Sequence, residues 1–205
     1  MADLSDRLEE ALDRAGKFFM GKSPQHEAAA EIARRFGELG IDYAVVGAMA
    51  LGAHGFERFT SDVDVLLTRE GLTKFKERFL GRGYLEVFEG SKGVRDTVNN
   101  VKIDFLLTGD FPGDGVPKSV AFPNPRDASE DAGRFRVVTL DKLIELKLAS
   151  GISRGILRMK DIADIVELIK VVKPPRELAD KLDPYVRAKY LELWDAVAAA
   201  PREDY

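Results

Sequence analysis

The chain has 205 residues, 45% of them hydrophobic and 32% charged, with 31 Lys and Arg against 35 Asp and Glu. This balance excludes a mostly disordered chain, and a formal net charge of −4 does not favour broad electrostatic binding of nucleic acid, leaving only a local basic patch open. Without a single Cys there is no disulfide scaffold, zinc–thiolate site, cysteine-ligated cluster or cysteine nucleophile, and 2 His argue against a multi-histidine metal site. No apolar run approaches the ~20 residues that span a bilayer. Met1 to Lys17 is charged and lacks the apolar core of a signal peptide, so a cytoplasmic location is expected.

The spacing of Leu4, Leu8, Ala11 and Leu12 predicts an amphipathic helix over 4–15, broken by the stretch from Gly16 to Lys22. Ser23-Pro24 opens a second helix that Gly40 ends after Leu39. Asp42 to Val46 reads as a strand, and Gly47 to Gly55 as a tight turn into a short helix. Asp62 to Leu67 is a second strand. Leu72 to Leu80 is helical. Tyr84 to Phe88 and Val94 to Val98 are weaker strands, and Val101 to Leu107 is a strong one. Thr108 to Arg134 carries Pro112, Pro117, Pro123 and Pro125 and reads as a long irregular stretch of functional or mobile character. Arg136 to Val138 is a further short strand. Helices follow at Leu140 to Ala149, Leu157 to Val172, Arg176 to Leu182 and Pro184 to Ala199. Helices, then strands, then helices give an α+β chain: N-terminal helices over 1–40, a core over 41–139, and a C-terminal helical region over 140–205.

Asp62 and Asp64 are two apart on a strand, so their side chains leave one face while Val63, Val65 and Leu67 take the other. On the later strand Lys102, Asp104 and Leu106 share one face, and Val101, Ile103, Phe105 and Leu107 the opposite one. If the two strands are neighbours, Asp104 joins Asp62 and Asp64. Asp-x-Asp alone is common and usually solvated. Here each acid interrupts an apolar β segment, where an unpaired carboxylate has low propensity and a desolvation cost. Three clustered carboxylates demand countercharge, which Mg²⁺ supplies through oxygen ligands. Two such ions ~4 Å apart are a device for in-line phosphoryl or nucleotidyl transfer. Upstream, Tyr43-Ala44-Val45-Val46 runs into Gly47-Ala48, where a glycine turn permits close approach by a phosphate. The same connection is also an ordinary structural turn.

Together, Gly47-Ala48-Met49-Ala50-Leu51, His54-Gly55, Arg58, Thr60, Asp62-Val63-Asp64 and Asp104 resemble the nucleotidyltransferase (DNA polymerase β-like) superfamily. Within it, the run is similar to stand-alone prokaryotic nucleotidyltransferases related to type IV abortive-infection toxins. The close match covers 47–64, with looser agreement through Asp104 and into 140–169.

The resemblance implies the nucleotidyltransferase fold, a small mixed β-sheet backed by helices with a C-terminal helical region. It also implies an NTP donor gripped at Gly47 and Ala48, and two Mg²⁺ ions, or Mn²⁺ in their place. Asp62 and Asp64 would bind both metals, and Asp104 would complete the site of the ion that activates the acceptor. Arg58 and Thr60 would support the loop or the phosphates, and His54 is read as ordering the short helix. In the C-terminal region Lys147 and Lys160-Asp161-Ile162-Ala163-Asp164 match a family Lys and a Lys-Asp-x-x-Asp helix that contribute to the site. Against this, Lys147 can snorkel from a half-buried helix, and Asp161 and Asp164 can pair with Arg158 within their own helix.

One departure is Ala48, where the family turn has Gly or Ser. The expected activity is transfer of NMP from an NTP to an acceptor hydroxyl with release of pyrophosphate. The acceptor is open among a tRNA end, a protein and a small molecule. The alternative, favoured by Ala48, is an inactive nucleotide- or partner-binding module, for example part of a toxin–antitoxin pair with a cognate antitoxin.

Overall fold

The computed structural model describes residues 4–201. The outermost parts of the expected N- and C-terminal segments, residues 1–3 and 202–205, lie outside the described residues. Helix α1 (Leu4–Phe19) runs one turn further than its sequence predicts. Gly16 costs only about 1 kcal/mol in a helix, and the ring of Phe18 anchors the last turn, 5.0 Å from His26 and 5.3 Å from Phe59 between centroids. Leu8, Ala11 and Leu12 of its apolar stripe are exposed rather than in the core. Helix α2 (Pro24–Leu39) begins as its sequence dictates, with the Ser23 Oγ accepting from the His26 N–H, and ends at Gly40 in the left-handed region.

A seven-stranded mixed sheet follows, in the order β3-β4-β5-β2-β1-β7-β6. Its strands are β1 (Tyr43–Val46), β2 (Asp62–Leu67), β3 (Tyr84–Glu86), β4 (Val94–Asp96), β5 (Val101–Leu107), β6 (Ser129–Asp131) and β7 (Arg136–Val138). Between them lie α3 (Gly47–Ala53) and α4 (Arg69–Phe79). The sheet centres on β2 and β5, which run parallel over six register pairs from Asp62↔Lys102 to Leu67↔Leu107. β1 pairs antiparallel to β2 and parallel to β7. β6 was not visible in the sequence. It is the polar run Ser-Glu-Asp within the proline-rich stretch, and its strand geometry comes from antiparallel pairing with β7 at the sheet edge.

One face of the central strands presents Val63, Val65, Ile103, Phe105 and Leu107, all buried. Phe36 of α2 and Phe75 of α4 close over it, 5.4 Å apart, and Phe75 lies 5.6 Å from Phe105. Burying a large apolar side chain stabilises by about 1.5–3 kcal/mol, so this aromatic cluster fixes how α2 and α4 sit on the sheet. The opposite face of β2 and β5 carries the acids.

The C-terminal helices pack together. Helix α5 (Leu140–Arg154) continues past its expected end at Ala149, and Gly151 within it lies against Ile162 where a Cβ would collide. Leu143 to Gly151 is a continuously buried run. A 3₁₀ turn (Gly155–Arg158) separates it from α6 (Met159–Val172), which starts two residues later than expected. The segment Arg176–Lys181 is also 3₁₀ rather than α, and α7 (Pro184–Ala199) follows with Asp183 capping the Tyr185 N–H. Among the described residues no helix is long and apolar enough to cross a membrane.

Candidate active site

The polar face of the sheet and the helices α5 and α6 bound a cleft of about 910 Å³. Its lining contains Gly47, Ala48, Arg58, Thr60, Asp62, Asp64, Asp104, Lys147, Lys160 and Asp161. The fold therefore brings these candidates to one place, while His54 and Asp164, also singled out from sequence, are not part of the lining.

The acids meet because of strand register. Asp64 and Asp104 are Cα partners across the parallel β2–β5 pair, and Asp62 precedes Asp64 by one full repeat on the same face. The Asp62 carboxylate accepts from the Thr60 hydroxyl at 2.6 Å, and that of Asp104 accepts from the Lys102 ammonium at 2.6 Å. Asp64 lies between them. Burial, and then the negative charges of Asp62 and Asp104, push its carboxyl up to about 6. Lys102 is held above its ordinary value, first by the hydrogen bond to Asp104. Sequence placed Lys102 on this face without recognising it as a countercharge.

Two glycines shape the patch. Gly47 has φ +66°, and a Cβ there would overlap the Asp64 carboxylate. The glycine expected to admit a phosphate thus first makes room for an acid. Gly93, unnoticed in the sequence, lies against β5 so closely that a Cβ would come within 2.8 Å of Asp104 Oδ1.

Among the described residues, no three or more His, Cys, Asp or Glu side chains stand gathered around a metal position. Asp62 is drawn to Thr60 and Asp104 to Lys102. The donors nevertheless suit a hard divalent cation: three carboxylates on one face offer oxygen ligands only. The glycine at position 47 leaves the Asp64 carboxylate room to stand on that face.

The helical wall behaves differently. Lys147 is buried, and its ammonium donates to Asp161 Oδ1 at 3.0 Å and Asp164 Oδ2 at 2.7 Å. It does not snorkel, which corrects that reading. Asp164 also pairs with Arg58 Nε at 2.9 Å, and the Ser150 hydroxyl donates to Asp161 at 2.7 Å. The expected intrahelical partner, Arg158, belongs to the 3₁₀ turn and reaches Asp161 only at 3.9 Å. The network thus ties α5 and α6 to the loop that carries Arg58 into β2. Lys160 is exposed at the cleft wall.

The long loop after β5 forms the remaining side through Asp110 to Gly113. Gly113 sits on α5, where a Cβ would come within 2.9 Å of the Ser150 carbonyl. Asp110 pairs with Lys92 at 2.6 Å and with Arg69. His54 points away from the cleft, its Nε2 bonded to the Val138 carbonyl at 2.7 Å, and so fastens the end of α3 to β7.

No protein-family model matches the chain, and no curated relative does. The seven-stranded mixed sheet and its helices form a nucleotidyltransferase fold, as likeness to solved structures shows. The structure is similar to that of ANT(2″)-Ia in complex with adenylyl-2″-tobramycin, with a TM-score of 0.51 at 13% identity over 82% of this chain and 97% of that one. A solution structure of the same antibiotic-resistance factor, described as showing substrate-regulated conformation dynamics, gives 0.50 at 14% identity over 84% and 95%. An antigenic nucleotidyltransferase-like protein from Paracoccidioides brasiliensis gives 0.46 at 15% identity over 70% and 74%. At these identities the likeness concerns the fold, and the chemistry must be argued from the residues.

Proposed function

We propose that the chain is a Mg²⁺-dependent nucleotidyltransferase that moves NMP from an NTP to an acceptor hydroxyl and releases pyrophosphate. The observation that carries this reading is the single cleft in which Asp62, Asp64 and Asp104 share one sheet face beside the Gly47 turn. ANT(2″)-Ia, whose fold is similar, has been seen with an adenylylated small molecule. The division into 1–40, 41–139 and 140–205 is part of the proposal: the core bears the acids, and the C-terminal helices supply the facing wall.

In this reading Asp62 and Asp64 would hold the two divalent cations, and Asp104 on β5 would complete the ligands of the one that activates the acceptor. The bound cations would offset triphosphate charge and favour ionisation of the acceptor hydroxyl. The acceptor oxygen attacks the α-phosphorus as the bond to the bridging α–β oxygen breaks. The acceptor proton passes to the Asp104 carboxylate, and the pyrophosphate carries off the bonding pair. Thr60 orients Asp62 through its hydroxyl. Lys160 places positive charge along the cleft for the phosphates, and Arg58, fixed by Asp164, supports the loop before β2.

The test is calorimetric titration of each of the four NTPs into the purified protein, with and without Mg²⁺. Binding is expected to require the metal and to disappear in Asp64→Asn. Failure of the folded protein to bind any NTP would overturn the proposal.

A further inference from the structure

Lys102 precedes Asp104 by two residues on β5, so both side chains leave the same face. It is also the Cα partner of Asp62 across the β2–β5 pair. Its ammonium thus stands in the row of acids, donating to Asp104 Oδ2 at 2.6 Å. The other Asp104 oxygen, Oδ1, lies under the close-packed backbone of Gly93.

Of the other cations lining the cleft, Lys160 is exposed at the helical wall and three are committed to acids elsewhere. Lys147 and Arg58 are paired with Asp161 and Asp164, and Lys92 with Asp110. Lys102 is not part of the cleft lining, whereas Asp104 is. The lysine therefore reaches the acid from the rim. It has a flexible four-carbon stem and a half-exposed side chain. Such a group can release its partner and return to water at small cost.

We propose that Lys102 is a tethered counter-cation that holds Asp104 in the metal-free protein and yields it when a divalent ion enters, thereby setting the metal affinity of the site. This rests on the reading that Asp62, Asp64 and Asp104 form a metal site, and adds a residue that works against the ion. The physical reason is competition for one carboxylate. The metal must displace a charge-assisted hydrogen bond before Asp104 can serve as a ligand. Lys102 is thus a positioning residue, acting through Asp104.

The experiment is Mn²⁺ titration by calorimetry, without nucleotide, of the full chain and of Lys102→Met, Lys102→Arg, Asp104→Asn and the double variant Lys102→Met/Asp104→Asn. Loss of a half-exposed ion pair predicts that Lys102→Met binds Mn²⁺ about threefold more tightly. Lys102→Arg should stay near the parent. In the Asp104→Asn background, Lys102→Met should bring no gain, because the carboxylate competed for is gone. Unchanged affinity in Lys102→Met overturns the proposal, as does an equal gain with and without Asp104, which reports only long-range charge. If the parent binds Mn²⁺ and Lys102→Met merely matches it, the counter-cation role alone fails. If neither folded protein binds Mn²⁺, the metal reading itself falls, and the role of Lys102 with it.

Discussion

On the sheet wall of the cleft, Asp62, Asp64 and Asp104 share one face, with Lys102 bonded to one of them. On the helical wall, Lys147, Arg58 and Ser150 satisfy Asp161 and Asp164. The first wall holds more negative charge than the protein neutralises, and the second is closed on itself. A closed network joins elements, here α5, α6 and the loop before β2. An open one stores a demand for external charge, at a cost in stability of the kind functional sites carry. Residues that look equally chemical in the sequence thus divide into a strut and a site.

The strongest way to break the comparison is to open the closed wall. In Lys147→Met, Asp164 keeps Arg58 but loses a buried partner at 2.7 Å, and Asp161 keeps Ser150 but loses one at 3.0 Å. Removing one member of a buried ion pair costs about 3–5 kcal/mol. Urea denaturation should show a loss near the lower end, since Arg58 remains. An unchanged midpoint would mean that the network is not structural.

The opposite sign is expected on the sheet wall. Asp64 has its carboxyl pushed up to about 6 from an ordinary 3.8. A folded-state value above the unfolded one means that charging the group costs stability. The cost is full above pH 6, shrinks as pH falls through 6, and vanishes below about 4, where both states are protonated. Asp64→Asn should therefore stabilise the metal-free protein by about 2–3 kcal/mol at pH 8. The gain should fade toward pH 4 in thermal melts with a chelator present. Destabilisation at pH 8 would show that Asp64 already has its countercharge.

The sheet wall was legible in the sequence because β alternation is short-range. Two acids at i and i+2 must share a face, and the apolar residues around Asp104 mark a buried strand. The β2–β5 pairing was the sole missing step, and the register supplied it. The helical wall was legible only as a set of residues. Lys147 meets Asp161 and Asp164 across 14 and 17 residues of chain. That meeting depends on how closely α5 and α6 approach at Gly151 and Ile162. Gly93 and β6 were illegible for a similar reason. A glycine in a loop shows its purpose only against the neighbour it admits, and Ser-Glu-Asp becomes a strand only through its partner. Lys102 differs: its position was plain, but an i, i+2 lysine was not weighed as a rival to a metal.

The smallest effect sharpens the boundary of the closed network. Arg158 and Asp161 are three apart, a spacing at which helical side chains pair. Yet Arg158 precedes α6, its guanidinium is half exposed, and its nearest nitrogen is 3.9 Å from Asp161 Oδ2. Ser150 already donates to that same oxygen at 2.7 Å. An exposed pair at this distance contributes less than about 0.5 kcal/mol. Arg158→Ala should leave the urea midpoint almost unmoved while Lys147→Met shifts it strongly. Comparable losses would place Arg158 inside the network and restore the intrahelical pair as its organising contact. If instead Arg158→Ala weakens NTP binding without touching stability, the 3₁₀ turn belongs to the open side of the comparison, its charge kept for a phosphate rather than for Asp161.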